Sequence, residues 1–343
     1  MKVVYDLRGG YPDDIDHYLK YHEMGDDSDS NVMFFGYNAI NNLEIREHFK
    51  NYDRKIAVTG EQPCAFLSGK QDIADLSADK EDYFDKIYTI CPYTANWLNE
   101  HHGKEKFEAA IIPYNIDDIP QRSYEKEFDL IYWGNIHSDD HIEILKTMSR
   151  SEITSNLFTV HPIHWTAKTF DPLGPYDTGQ RTPDGRHFER YIPENYTELI
   201  TAIGAPRKKM WEALRKTKIF VVTNMLYLSE SHKANIEAIN TYKNNKAFSH
   251  VDDFIAPQMK TRVVEAAFNK TLSLVKKDPW NVVENWFVPG EDFIYYENNE
   301  DLPSLIKEIS DNWEKYKHIT ENAYKKAIEN YTAKKLFKRF SGE

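Results

Sequence analysis

Cysteine is nearly missing from these 343 residues: there are two, Cys64 and Cys91. Two thiols build neither the disulfide framework of a small secreted domain nor a cysteine metal cluster. No stretch approaches the roughly 18 apolar residues of a membrane span. The N-terminus, Met1 to Asp6, carries no apolar signal-peptide core. A positive surplus is absent too. Lys and Arg total 43 against 55 Asp and Glu, a net charge of −12, which argues against a surface built to coat nucleic acid. Low-complexity segments are lacking. These absences leave a globular protein, expected to be cytoplasmic, with no transmembrane segment. At 41% hydrophobic and 29% charged residues it has ample core, and its length suits about two domains.

Two basic groups interrupt the acidic background: Arg207, Lys208 and Lys209 with Arg215, Lys216 and Lys218, and the tail from Lys334 to Arg339. Each is either a solvated helix face or a place for phosphates.

The local pattern is that of an α/β protein. Lys2 to Asp6 reads as a strand, Gly9 and Gly10 as a loop near a cleft, and Asp13 to Tyr21 as a helix. Strand, glycine, helix is the opening of a doubly wound unit, where glycine lets backbone N–H groups approach a ligand. Further strands are expected at Val32–Phe35, Lys55–Thr59, Phe84–Ile90 and Ala109–Asp117, with a helix from Thr94 to His101 capped by Gly103. Phe128 to Trp133, then Gly134 and Asn135, then a helix from Asp139, repeats the opening. Residues 119–126, with Pro120, read as the hinge, so residues 1–118 and 127–318 are expected as two domains and 319–343 as a closing helix. Residues 161–197, rich in Pro, Gly and Asp, read as an irregular insertion. His161 and His164 have no third ligand at fitting spacing, and Asp27 and Asp29 sit in a polar loop, so no metal site is expected. Arg207–Arg215 reads as a helix and Lys218–Thr223 as a buried strand.

The most informative stretch is 257–298. Pro257 suits a first helical turn, Lys260 to Phe268 continue it, Asn269 suits a left-handed cap, and Leu272 to Val275 reads as a buried strand. Lys260 and Arg262 would place two cations near a helix start, where phosphate is favoured. Glu265, three residues after Arg262, shares its face and suits a ribose diol. The plainer reading is a surface Arg–Glu pair.

An Arg-x-x-Glu helix, a short strand and then Phe287-x-x-Gly290-x-Asp292-Phe293-x-x-Tyr296 resembles the donor half of GT-B glycosyltransferases, above all the group related to spore-maturation glycosyltransferases. The element order of most of the chain agrees. The resemblance implies an α/β fold of two Rossmann-like domains facing across a cleft. It implies a nucleoside diphosphate sugar as donor substrate, held by Lys260, Arg262 and Glu265 with Gly134 and Asn135 opposite, and no required cofactor or metal. Thr59-Gly60-Glu61 also resembles a segment of bacterial α-1,3-fucosyltransferases, which implies Glu61 as general base. Asp13, Asp14 and His17 are the alternatives. Many retaining GT-B enzymes carry two glutamates eight positions apart, the second matching Glu265. Pro257 stands at the first place, which tilts the reading toward inversion. The acceptor is expected to be a saccharide or lipid-linked glycan. The alternatives are a hydroxymethylated base in DNA, as in phage enzymes, an epimerase or phosphorylase of the same shape, and an inactive nucleotide-sugar binding module.

Overall fold

A computed structural model of the chain describes residues 2–4, 32–36, 47, 50–59, 83–111, 125–134, 144, 147, 155–159, 177–181, 187–189, 200–203, 207–228, 230–237, 245–332, 335–336 and 338–339. Gly9, Gly10, Asp13, Asp14, His17, Glu61, Asn135 and most of the hinge lie outside the described residues.

Short β-branched and aromatic runs set the first sheet. It contains β1 (Lys2–Val4), β2 (Val32–Gly36), β3 (Arg54–Thr59), β4 (Lys86–Thr89) and β5 (Phe107–Ala109). All neighbours pair parallel, in the order of the chain. Among the described strands there is no reversal of order, and β3 is the middle one. Parallel neighbours need a crossover, and α1 (Pro92–His102) supplies one between β4 and β5. Pro92 opens it, where a missing N–H costs nothing. Gly103, at φ +64°, closes it in the left-handed region, as its sequence position suggested. The fifth strand lies earlier than the expected Ala109–Asp117. The Asn99 side chain fixes it at Phe107, accepting that residue's N–H at 2.8 Å and donating to its carbonyl at 2.9 Å.

The second sheet is built from β6 (Phe128–Gly134), β7 (Ser155–Thr159), β10 (Ile200–Ile203), β11 (Thr217–Val222), β14 (Leu272–Lys276) and β15 (Ile294–Tyr296). Its order is β10-β7-β6-β11-β14-β15, all parallel. Counted from β6, that is 3-2-1-4-5-6, the doubly wound order. Its reversal falls between β6 and β11, and ligands of such sheets bind outside the carboxyl ends of the strands at that point. Leu130, Ile219 and Leu272 are fully buried across the three central strands, as expected of strands covered on both faces. Residues 161–197 are not wholly irregular. They include β8 (Asp177–Arg181) and β9 (His187–Glu189), an antiparallel pair.

The helices α2 (Arg207–Arg215), α3 (Glu230–Glu237), α4 (Arg262–Phe268), α5 (Leu302–Asp311) and α6 (Trp313–Asn330) complete the described core. The closing helix starts at Trp313, earlier than expected. Its Ala323 and Ala327 share a core cluster with Val263 and Ala267 of α4. Beyond it, Arg339 lies 3.4 Å from Glu108 of β5.

The Phe287–Phe293 motif is a structural staple. Asp292 is 7% exposed; its carboxylate accepts the Val288 N–H at 2.8 Å and the Lys326 ammonium of α6 at 2.5 Å. Gly290, at φ +79°, makes the turn between them. Asp292→Ala removes two charge-assisted bonds, so unfolding stability should fall by about 2–3 kcal/mol, read as a lower denaturation midpoint. A midpoint unchanged from the native protein would contradict this reading.

Lys126 is half-buried two residues before β6. Its ammonium donates to the Thr217 carbonyl at 2.8 Å and lies 5.9 Å from the Trp313 ring centroid. Burial pushes its pKa down to about 7, with Glu321 pulling it up and Lys270 down. The unfolded chain, with an ordinary lysine near 10.4, therefore binds more protons between about pH 7 and 10. Stability from this group rises with pH across that window. Lys126→Met should remove the slope: the variant gains most over the native protein below pH 7, and the gain shrinks toward pH 10. Parallel stability–pH curves for the two proteins would contradict the assignment.

Candidate functional site

The switch point brings the candidate residues together through a clamp on Asn224. This residue follows β11 by two positions and is fully buried. After it, β12 (Met225–Tyr227) pairs antiparallel with β13 (Ile255–Pro257). That ladder carries residues 258–260 back to the carboxyl end of β11. The Gln258 N–H donates to the Asn224 carbonyl at 3.0 Å, and the Lys260 N–H to Asn224 Oδ1 at 2.8 Å. Pro257 therefore ends a strand and starts no helix. It pairs with Met225, and α4 begins five residues later at Arg262. The reason is tertiary: the capture of 255–257 by β12 overrides its local helical pattern.

Lys260 consequently lies before the helix, with its ammonium donating to the Gln258 side chain. Burial, and after it the charge of Arg262, push that ammonium well below the usual lysine range. Arg262 is the first residue of α4 and half-buried. Glu265 stands one turn on and is 4% exposed, so it is no solvated surface partner. Asn269 is not the left-handed cap. Its φ is −103°, its amide donates to the Glu265 carbonyl at 2.7 Å, and the positive φ falls on Lys270. Gly134 ends β6, on the other side of the switch point.

The first sheet meets this segment through Cys91. The thiol is fully buried, which raises its pKa, and it shares a core cluster with Met259, the residue before Lys260. Cys91 follows β4 by two residues, and Thr89 of β4 pairs with Thr59 of β3. The carboxyl end of the middle strand of the first sheet thus lies one strand spacing, about 4.8 Å, from the strand that leads into Cys91. Two bonds tie the sheets here. The Tyr93 hydroxyl donates to the Trp280 carbonyl at 2.8 Å, and the Asn245 amide to Glu100 at 2.8 Å. At the end of β14, Asp278 accepts the N–H groups of Trp280 and Val282 at 3.0 and 3.2 Å. Burial raises its pKa to about 6 against the pull of those bonds.

Asn224 itself drew no role from the sequence. Its signal was present: a polar residue directly after the buried run Lys218–Thr223, where open α/β sheets take ligands. Its Nδ2 has no hydrogen-bond partner among the described residues. Leaving such a group unsatisfied costs about 1–3 kcal/mol.

Three residues of the basic group around 207–218 are engaged within the fold. Arg215 is buried, Lys216 pairs with Glu127 at 2.9 Å, and Lys218 with Asp129 at 2.7 Å. No group of three His, Cys, Asp or Glu among the described residues is placed to hold a metal ion. No helix among them is long and apolar enough to cross a membrane.

Comparison with known proteins agrees with this frame. Residues 202–341, which contain Asn224 and the whole 257–298 stretch, match the family described as glycosyl transferase-like. No curated protein matches the chain by sequence. Three solved structures share its fold. HepE from Anabaena, in complex with UDP-glucose, superposes with a TM-score of 0.56 at 9% identity, over 91% of this chain and 79% of its own. Sucrose-phosphate synthase from Thermosynechococcus elongatus gives 0.53 at 8% identity, over 95% and 76%. A glycosyltransferase from Rickettsia africae gives 0.53 at 11% identity, over 99% and 95%. The chain has the GT-B fold, its residues 202–341 match the glycosyl transferase-like family, and the two together mark it as a glycosyltransferase.

Proposed function

We propose that this glycosyltransferase moves a sugar from a nucleoside diphosphate donor to a hydroxyl of a saccharide or lipid-linked glycan. The observation that carries the reading is the Asn224 clamp, which holds the Lys260–Glu265 segment at the switch point of the second sheet. HepE, on the same fold, was solved with UDP-glucose, which supports a nucleotide sugar as donor. In this proposal residues 1–118 take the acceptor, 127–318 the donor, and 319–343 close the molecule against the first domain.

The roles follow from charge and position. Arg262 and Lys260 face the diphosphate. An arriving anion favours the protonated lysine, opposing the burial that lowers its pKa. Glu265 accepts from the ribose diol, and Gly134 and Asn135 approach from across the switch point. Glu61 takes the proton of the acceptor hydroxyl. The acceptor oxygen bonds to the sugar's anomeric carbon as the bond to the diphosphate breaks on the opposite face, which inverts that carbon. The leaving charge is met by side-chain cations, so no metal is needed. Turnover should persist in chelator; complete loss restored by added Mg²⁺ would overturn the metal-free claim.

The reading is tested by thermal shift with a panel of nucleotide sugars. A ligand at about 100 times its dissociation constant adds about 2.7 kcal/mol of stability. One nucleotide class should stand out, and product analysis should show its sugar on an acceptor. No shift with any nucleotide sugar would reject the proposal.

A further inference from the structure

Asn224, just past the end of β11, holds the segment that carries Lys260 and Arg262. Asn224 accepts the Lys260 N–H through Oδ1, and this fixes which end of the amide carries the N–H pair. Nδ2 is left fully buried and without a partner among the described residues. Arg262 opens the helix two residues beyond Lys260. Native structures rarely bury an amide N–H pair unsatisfied, and such a group calls for a missing acceptor. The segment that Asn224 holds carries Lys260 and Arg262, so an acceptor that suits this segment is an anion. Asn224 also lies at the carboxyl end of β11, one of the two strands flanking the switch point.

We propose that the Asn224 side-chain amide is a further donor-binding group, giving its free N–H pair to a phosphate oxygen of the nucleoside diphosphate while its oxygen holds the Lys260 backbone in place. This rests on the glycosyl-donor reading of the same site. It adds a neutral, directional contact to the two cations. The residue then does two things at once: it builds the loop and touches the ligand.

Asn224→Asp separates the two roles. The carboxylate keeps an acceptor for the Lys260 N–H and loses both N–H donors. Affinities for UDP, GDP and ADP are measured by titration, beside those for the matching nucleosides. The nucleotide that binds the native protein should bind the variant about ten- to a hundredfold more weakly, with nucleoside affinity unchanged. Native-like diphosphate affinity in the variant would overturn the proposal, as would an equal loss for diphosphate and nucleoside, which marks a purely structural residue. Should the native protein bind none of the three nucleotides, the donor reading itself falls and this inference with it. If the variant fails to fold, the ¹⁵N-labelled native protein decides. The Asn224 side-chain amide resonance should move on adding the bound diphosphate and stay still with the nucleoside; no movement would reject the contact.

Discussion

Turnover of Glu61→Gln should fall by about 10²- to 10⁴-fold, the usual worth of general-base help, while donor affinity stays near that of the native enzyme. Glutamine keeps the shape of the side chain and removes the basic oxygen. Position supports Glu61 over its alternatives. It follows β3, the middle strand of the first sheet, whereas Asp13, Asp14 and His17 follow β1, which pairs only with β2 among the described strands. The end of β3 also lies beside β4, and Cys91, two residues beyond β4, shares a core cluster with the residue before Lys260. In the proposed reading the base faces the donor across the cleft from this strand end. If the variant keeps more than a tenth of native turnover, Glu61 is a turn residue, and Asp13, Asp14 and His17 are the next to substitute.

The second large effect is expected at Arg262. In the proposed reading, replacing it by alanine removes a charged hydrogen bond to the diphosphate, worth about 1.5–3 kcal/mol, so donor affinity should drop roughly ten- to a hundredfold or more. Fold stability should change little by comparison, because Arg262 is half-buried at the start of α4, whereas Val263 to Phe268 behind it are buried. The distinction matters for the plainer reading, in which Arg262 and Glu265 form a surface helical pair. That pair would contribute only about 0.3–0.5 kcal/mol to stability and nothing to nucleotide binding. Unchanged nucleotide affinity in the variant would favour it. The 4% exposure of Glu265 already speaks against a solvated pair.

Much of the scaffold was legible because apolar runs and helix punctuation are local. Lys218–Thr223 reads as a strand and folds as Thr217–Val222; Arg207–Arg215 folds as read; Gly103 caps its helix. The misplacements share one cause, which is that distant partners decide them. Pro257 has a helical neighbourhood, yet its partner is Met225, 32 positions away. The fifth strand shifts to Phe107 because Asn99 holds it there. The strand Ile200–Ile203 drew no prediction, since its four residues gain meaning only beside β7. Strand order is equally hidden: nothing local shows that β11 lies beside β6 and creates the switch point. The cations Lys260 and Arg262 were therefore legible as residues, whereas the clamp that places them was not. Asn224 was passed over for the same reason, being an ordinary polar residue until the 255–260 segment folds onto it.

The central claim, that the segment from Lys260 to Glu265 holds the donor, is tested most directly by a crystal structure with the nucleoside diphosphate selected in the thermal-shift panel. The account predicts phosphate oxygens at hydrogen-bonding distance, about 2.7–3.2 Å, from Arg262, with the ribose against Glu265, outside the carboxyl ends of β6 and β11. Phosphates bound beyond the reach of the Arg262 and Lys260 side chains would contradict it.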